Sequence, residues 1–230
     1  MSSARNEILA AAGGVSTDPA AIAAAAVRLL DRVPVVRPDR VSGRPADAFL
    51  VRVSSPAVGA TAERVASLAD FPSAVRRYLA AWTLAPALAL QPHPALRALD
   101  WTGMETRAAI GLDEPVAAGL ALGAIAETGS LVFHSGPDAP TLFGFLPVHH
   151  IVAVEADRIW PWLEDYAAAF PPASLPRNVN LITGASGTTD IEGALVRGAH
   201  GPGHLHIVLV DPDPAPPNPT LPATTTAKNL

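Results

Sequence analysis

Between residues 116 and 211 the chain alternates apolar runs of strand length with segments of helical pattern, and this restricts the fold more than any other feature. "HIVAVEA", "NVNLITG" and "HLHIVLVD" read as strands, "RIWPWLEDYAAAF" as mostly helix and "TDIEGALVRG" as helix. Such a β-α-β-α-β order predicts an α/β fold, a mainly parallel sheet covered by helices on both faces and joined by right-handed crossovers. Just ahead, "AAGLALGAIAE" and "GSLVFHS" read as two strands flanking a hairpin-like turn at Glu127–Gly129.

The N-terminal half is less regular. "MSSARNEILAAAGG" reads as an amphipathic helix capped by Ser2 or Ser3, and "TDPAAIAAAAVRLLDRV" as a helix with Asp18 as N-cap and Pro19 in its first turn. The Pro- and Arg-rich segment 34–47 reads as a loop leading to a first core strand, "AFLVRV". Helical patterns follow at "TAERVASLADF" and "FPSAVRRYLAAW", then a short apolar run, "TLAPALAL". The segment 212–230 is rich in Pro and Thr without apolar periodicity and is expected to be disordered. The expected organisation is a helical segment 1–33, an α/β domain 34–211 and a tail 212–230.

Composition narrows the functional classes. With 16 Lys and Arg against 21 acidic residues and a net charge of −5, the chain has no basic footprint for nucleic acid. It has no cysteine, so it offers no thiolate to an iron–sulfur cluster and no cysteine nucleophile; no cofactor of its own is expected. The N-terminus lacks a secretory pattern and the apolar stretches stop at Arg28 and Glu127, short of the ~20 residues that span a bilayer, so a cytoplasmic protein is expected.

"TGASG" at 183–187 imitates a dinucleotide-binding turn, and the next strand ends in Asp211, where such enzymes keep a ribose-binding acid. Asp190 occupies the third glycine position and only one strand follows, which argues against a dinucleotide. The local reading is a helix start with a Thr189–Glu192 capping box. The hydroxyls of Thr183, Ser186, Thr188 and Thr189 around it would equally suit a small carboxylate or phosphate. Glu127, between an apolar strand and a glycine turn, is a candidate general base or nucleophile, or a turn acceptor. His149–His150 and "HGPGHLH" gather histidines. His204 and His206 share a strand face, His200 could swing toward them, and the reading preferred over a metal site is ordinary hydrogen-bonded histidines.

Taken together, "AIAETGSLVF", "LPVHHIVAV", "LITGASGTTDIEGALVRGAHGP" and "HLHIVLV" resemble the LUD-domain family, in particular its lactate utilization protein C members. The matching positions are Ala126 to Gly129, Pro147, His150, Ile151, Thr183, Gly184, Ser186, Thr188, Asp190 to Glu192, Gly198 and His200 to Pro202. The similarity extends from residue 2 to about 211 and is dense from about 120. Ala185 replaces a usual proline, Gly187 stands where a basic residue is common, and Ser130 takes a threonine position; Arg197 or Arg177 could supply the missing charge.

The resemblance implies a Rossmann-like three-layer sandwich similar to the NagB/RpiA/CoA-transferase group. It also implies a non-redox subunit of an L-lactate-oxidising system with iron–sulfur partner proteins. The expected site joins Glu127 to Thr128, Gly129, Thr183, Gly184, Ser186, Thr188, Asp190, His150 and His200, around a small carboxylate. A rival reading is an independent transferase or hydrolase of acyl or phosphorylated small molecules acting through Glu127.

Overall fold

The structure, a computed structural model, describes residue 4 and residues 18–30, 41–170, 175–189 and 195–213. The helix expected from Ser2 or Ser3, the loop at 34–40, residues 190–194 and the tail from 214 lie outside the described residues. Contacts divide the chain into Met1–Asp39 and Arg40–Leu230. The first unit contains helix α1 (Pro19–Leu30), started by the Asp18 carboxylate accepting the Ala20 N–H at 3.0 Å.

The second unit is built on a six-stranded sheet, all neighbours parallel: β1 (Thr61–Val65), β2 (Ala87–Leu90), β3 (Glu105–Arg107), β4 (Val116–Leu120), β7 (His149–Glu155) and β12 (His204–Val210), in the order β1-β12-β7-β4-β2-β3. Helices α2 (Pro45–Val53), α3 (Phe71–Ala81), the single turn α4 (Pro94–Arg97) and α5 (Leu163–Ala169) accompany it. A four-stranded sheet takes β5 (Gly123–Ile125), β6 (Ser130–His134), β8 (Ile159–Trp160) and β9 (Val179–Ile182) in the order β8-β5-β6-β9, while β10 (Gly187–Thr189) pairs with β11 (Leu195–Arg197).

Strands buried on both faces read as unbroken apolar runs, as "IVAV" and "HIVLV" do here. Ile151, Ala153, Val208 and Val210 pack under Phe71, Val75 and Leu79 of α3. Val152, Val154, Leu205, Ile207 and Leu209 pack on the other face, under Phe49 and Val53 of α2 and Leu131 of β6. That second face departs from the expected cover of helices: one helix shares it with the four-stranded sheet.

Several expected elements differ: "AAGLALGAIAE" is split between β4 of the parallel sheet and β5 of the second, and "NVNLITG" supplies β9 of that second sheet, antiparallel to β6. "AFLVRV" is not a strand but the body of α2, because Ala46, Phe49 and Val53 recur at helical spacing and all three are buried. "TAERV" is a strand rather than a helix: its pairing with β12, Thr61 opposite His206 through Val65 opposite Val210, overrides helix propensity. The helix expected over "TDIEGALVRG" is corrected at its described ends, which are strands paired from Gly187–Arg197 to Thr189–Leu195; Glu192 of the expected capping box lies outside the described residues. Among the described residues no helix is long and apolar enough to cross a membrane.

Candidate functional site

β5 and β6 form an antiparallel hairpin, Ile125 opposite Ser130, so Ala126, Glu127, Thr128 and Gly129 make its tight turn. Gly129 closes it with its N–H on the Ile125 carbonyl at 2.9 Å and a φ of +74°, and a Cβ there would crowd Arg52 and Val53 of α2. Glu127 is half-buried and its N–H donates to the Pro161 carbonyl at 3.1 Å.

The second turn reaches the first through the register of β6 and β9. Leu131 opposite Ile182 sets Ser130 beside Thr183, and their hydroxyls share a hydrogen bond of 2.5 Å. Ser130 also shares one of 2.7 Å with Thr128, giving an unbroken chain Thr128–Ser130–Thr183. Gly184, at φ +76°, lies so close to the Val58 carbonyl that no Cβ would fit. Beyond it, the Ser186 N–H donates to the Pro202 carbonyl at 2.7 Å and the Gly198 N–H to the Ser186 carbonyl at 3.0 Å, tying the turn to the loop that carries exposed His200.

Thr188 lies opposite Val196 in β10–β11, and Arg197 lies opposite Gly187. A basic side chain therefore stands across the ladder from the position where the resemblance expects one in sequence. Asp190 lies outside the described residues. Ser130 is the participant that residue-by-residue reading left out of the site; its only signal was a hydroxyl three places after Glu127, and the β6–β9 register gives it its partner.

His150 does not join this group. It points to the same sheet face as Val152, is 0% exposed, and stacks on Phe133 of β6 with ring centres 6.0 Å apart. Neither ring nitrogen has a hydrogen-bond partner, and burial lowers its pKa to about 4. The other histidines of the parallel sheet face α3. His149 shares a 2.9 Å hydrogen bond with the Tyr78 hydroxyl and stacks on His204 at 4.4 Å. His206 bonds to Thr61 at 2.8 Å, and Trp82 covers His204 at 4.5 Å. Aromatic and hydroxyl neighbours and the Glu63 carboxylate, 3.3 Å from His206 Nε2, occupy this cluster, and among the described residues no group of three His, Asp or Glu could hold a metal ion. Asp211, at 1% exposure, lies between Arg44 at 3.0 Å and Arg64 at 3.1 Å; its charge is neutralised inside the protein instead of facing a ribose.

The sequence pattern of the LUD domain matches residues 72–210, more than half of the chain and the whole stretch from α3 to β12. The chain belongs to the LUD domain family. Within this family it is 33% identical over 88 residues to a lactate utilization protein C of Anoxybacillus flavithermus, a match covering 38% of this chain and 40% of that protein. With the lactate utilization protein C of Geobacillus thermodenitrificans the identity is 32% over 117 residues, 48% of this chain and 49% of the relative. Such matches span half or less of the curated relatives' length. A crystal structure of a DUF162 family protein from Deinococcus radiodurans has the same fold, with a TM-score of 0.54 at 21% identity, covering 74% of this chain and 99% of that one. Both turns and the hydroxyl chain lie inside the matched LUD domain.

Proposed function

We propose that this LUD-domain protein serves L-lactate utilization in the cytoplasm as a non-redox subunit, docked with iron–sulfur partner proteins and holding a small carboxylate, lactate or pyruvate, where the Glu127 and Thr183 turns meet. The observation that carries the reading is the Thr128–Ser130–Thr183 hydroxyl chain, which joins two family turns separated by more than fifty positions. The names of the relatives in the LUD family support the pathway.

Oxidation of lactate to pyruvate releases two electrons and two protons. With no cysteine in the chain, the electrons are assigned to clusters on the partners. This chain's own groups bind and orient: hydroxyls donate to the carboxylate, Arg197 adds positive charge, and half-buried Glu127 is the base that takes the substrate's hydroxyl proton, while the proton and both electrons of the Cα–H bond leave to the partner proteins. A strain lacking the gene should fail to grow on L-lactate, and wild-type protein but not Glu127→Gln or Ser130→Ala should restore growth. Affinity-tagged protein should bring down iron–sulfur proteins. Normal growth of the deletion strain together with no such co-purification overturns the proposal.

A further inference from the structure

The parallel sheet has a point where its chain direction reverses. From β2 the chain runs through α4 to β3 on one side, whereas β4 lies on the other side of β2 and leads on, through the second sheet, to β7. The two connections leave on opposite faces: Leu96 of α4 packs with α3, and Leu131 of the second sheet packs with α2. In open α/β sheets, ligands bind in the crevice outside the carboxyl ends of strands at such a point. Here that crevice is a cleft of about 380 Å³, bordered by Gln91 just after β2, Leu120 at the end of β4 and Glu155 at the end of β7.

The cleft is braced by a side chain dedicated to it. Gln91 is 1% exposed, and its Oε1 accepts the Leu120 N–H at 2.9 Å while its Nε2 donates to the Asp138 carbonyl at 2.9 Å, tying strand ends to the 136–139 turn. Gly119 makes room for it, as a Cβ there would lie 2.7 Å from Gln91 Oε1. The same Cβ would lie 3.4 Å from Nε2 of His150, the buried ring without hydrogen-bond partners, which stacks on Phe133 in the cleft wall. An unsatisfied polar ring thus lies directly behind Phe133 of the cleft wall.

We propose that this cleft is a second ligand site, for a hydroxyl-rich ring compound of nucleoside size bearing one anionic group. Its volume is that of sites for whole cofactor- or drug-sized ligands, and a three-carbon acid would leave most of it to water. Phe133 and Leu120 offer an apolar surface to a ring face, and the Asp138 and Glu155 carboxylates accept from hydroxyls. Arg158 matches a carboxylate or phosphate monoester in a two-pronged contact. Two carboxylates against one guanidinium disfavour a polyphosphate.

Calorimetric titration of the full chain with adenosine monophosphate and glucuronate, and with uncharged adenosine and glucose, each to about 10 mM, tests this. Saturable binding of one anion is expected, with its uncharged counterpart about tenfold weaker; which anion binds separates a nucleotide from a sugar acid. Arg158→Ala and Glu155→Gln should each weaken it about tenfold and Thr183→Val should leave it unchanged. Asp138→Asn carries the same reading should either variant fail to fold. Absence of saturable binding by both anions overturns the site, as does binding that these cleft substitutions leave intact or that Thr183→Val abolishes.

Discussion

On the helical face of the parallel sheet, His149 shares a hydrogen bond with the Tyr78 hydroxyl and stacks on His204. On the opposite face its sequence neighbour His150 is enclosed by apolar surroundings and Phe133, and neither ring nitrogen is paired. Both imidazoles are held near pKa 4, His149 by burial and then the nearby His204, His150 by burial alone. The same shift thus has two structural meanings: one histidine belongs to a satisfied aromatic cluster, and the other keeps an unmet polar capacity beside a cleft. An alternation of one residue along β7 separates them.

The largest effect is expected on the face built from glycine turns. Gly184→Ala would force a side chain toward the Val58 carbonyl at positive φ and should cost at least about 3 kcal/mol in urea unfolding. A loss below about 1 kcal/mol would show that the Thr183 turn is not held against Val58.

Acid should come next. Both histidines have folded pKa values near 4 against an unfolded value near 6.5, so the unfolded chain binds more protons between these limits. Stability is therefore complete above about pH 6.5 and falls as pH drops toward 4, by roughly 1.4 kcal/mol per pH unit for fully buried His150 and less for His149, whose shift is shared with the neighbouring His204. Unfolding curves from pH 7 to 4.5 should show this slope, and His150→Leu should flatten most of it. An unchanged slope in that variant would remove His150 from the account.

Substitution at pH 7 should separate the two faces by sign. His149→Leu leaves the buried Tyr78 hydroxyl without its partner and should destabilise by about 1–2 kcal/mol, whereas His150→Leu removes unpaired polar atoms and should be neutral or stabilising by about 1 kcal/mol. Equal losses from both would dissolve the distinction. The smallest effect is expected of Ser130→Ala, about 1 kcal/mol for the two hydroxyl contacts, with its main consequence in growth on lactate.

Much of this architecture is legible in the chain. The runs ending in β7 and β12 announce strands buried on both faces, the Asp18–Pro19 start and the apolar period of 71–81 announce helices, and the glycine after Glu127 announces the hairpin turn. Local chemistry suffices there because backbone preference, turn residues and apolar spacing agree. It fails where they conflict. "TAERV" has the helix formers Ala, Glu and Arg at its centre and is a strand through its ladder to β12, some 145 positions away, as Thr61 with His206 shows. "AFLVRV" is β-rich in composition and helical because one face of it fills the layer above the sheet.

For the site, the sequence supplied the two turns, their glycines and their hydroxyls, since φ > 0 and short polar side chains leave a local mark. That Ser130 meets Thr183, that Arg197 stands across from Gly187, and that His150 turns inward onto Phe133 were decided only by strand register and layer packing. Register is a property of paired strands: a slip of one residue would exchange every side chain between the faces, and the burial that forbids the slip is summed over residues far apart in the chain.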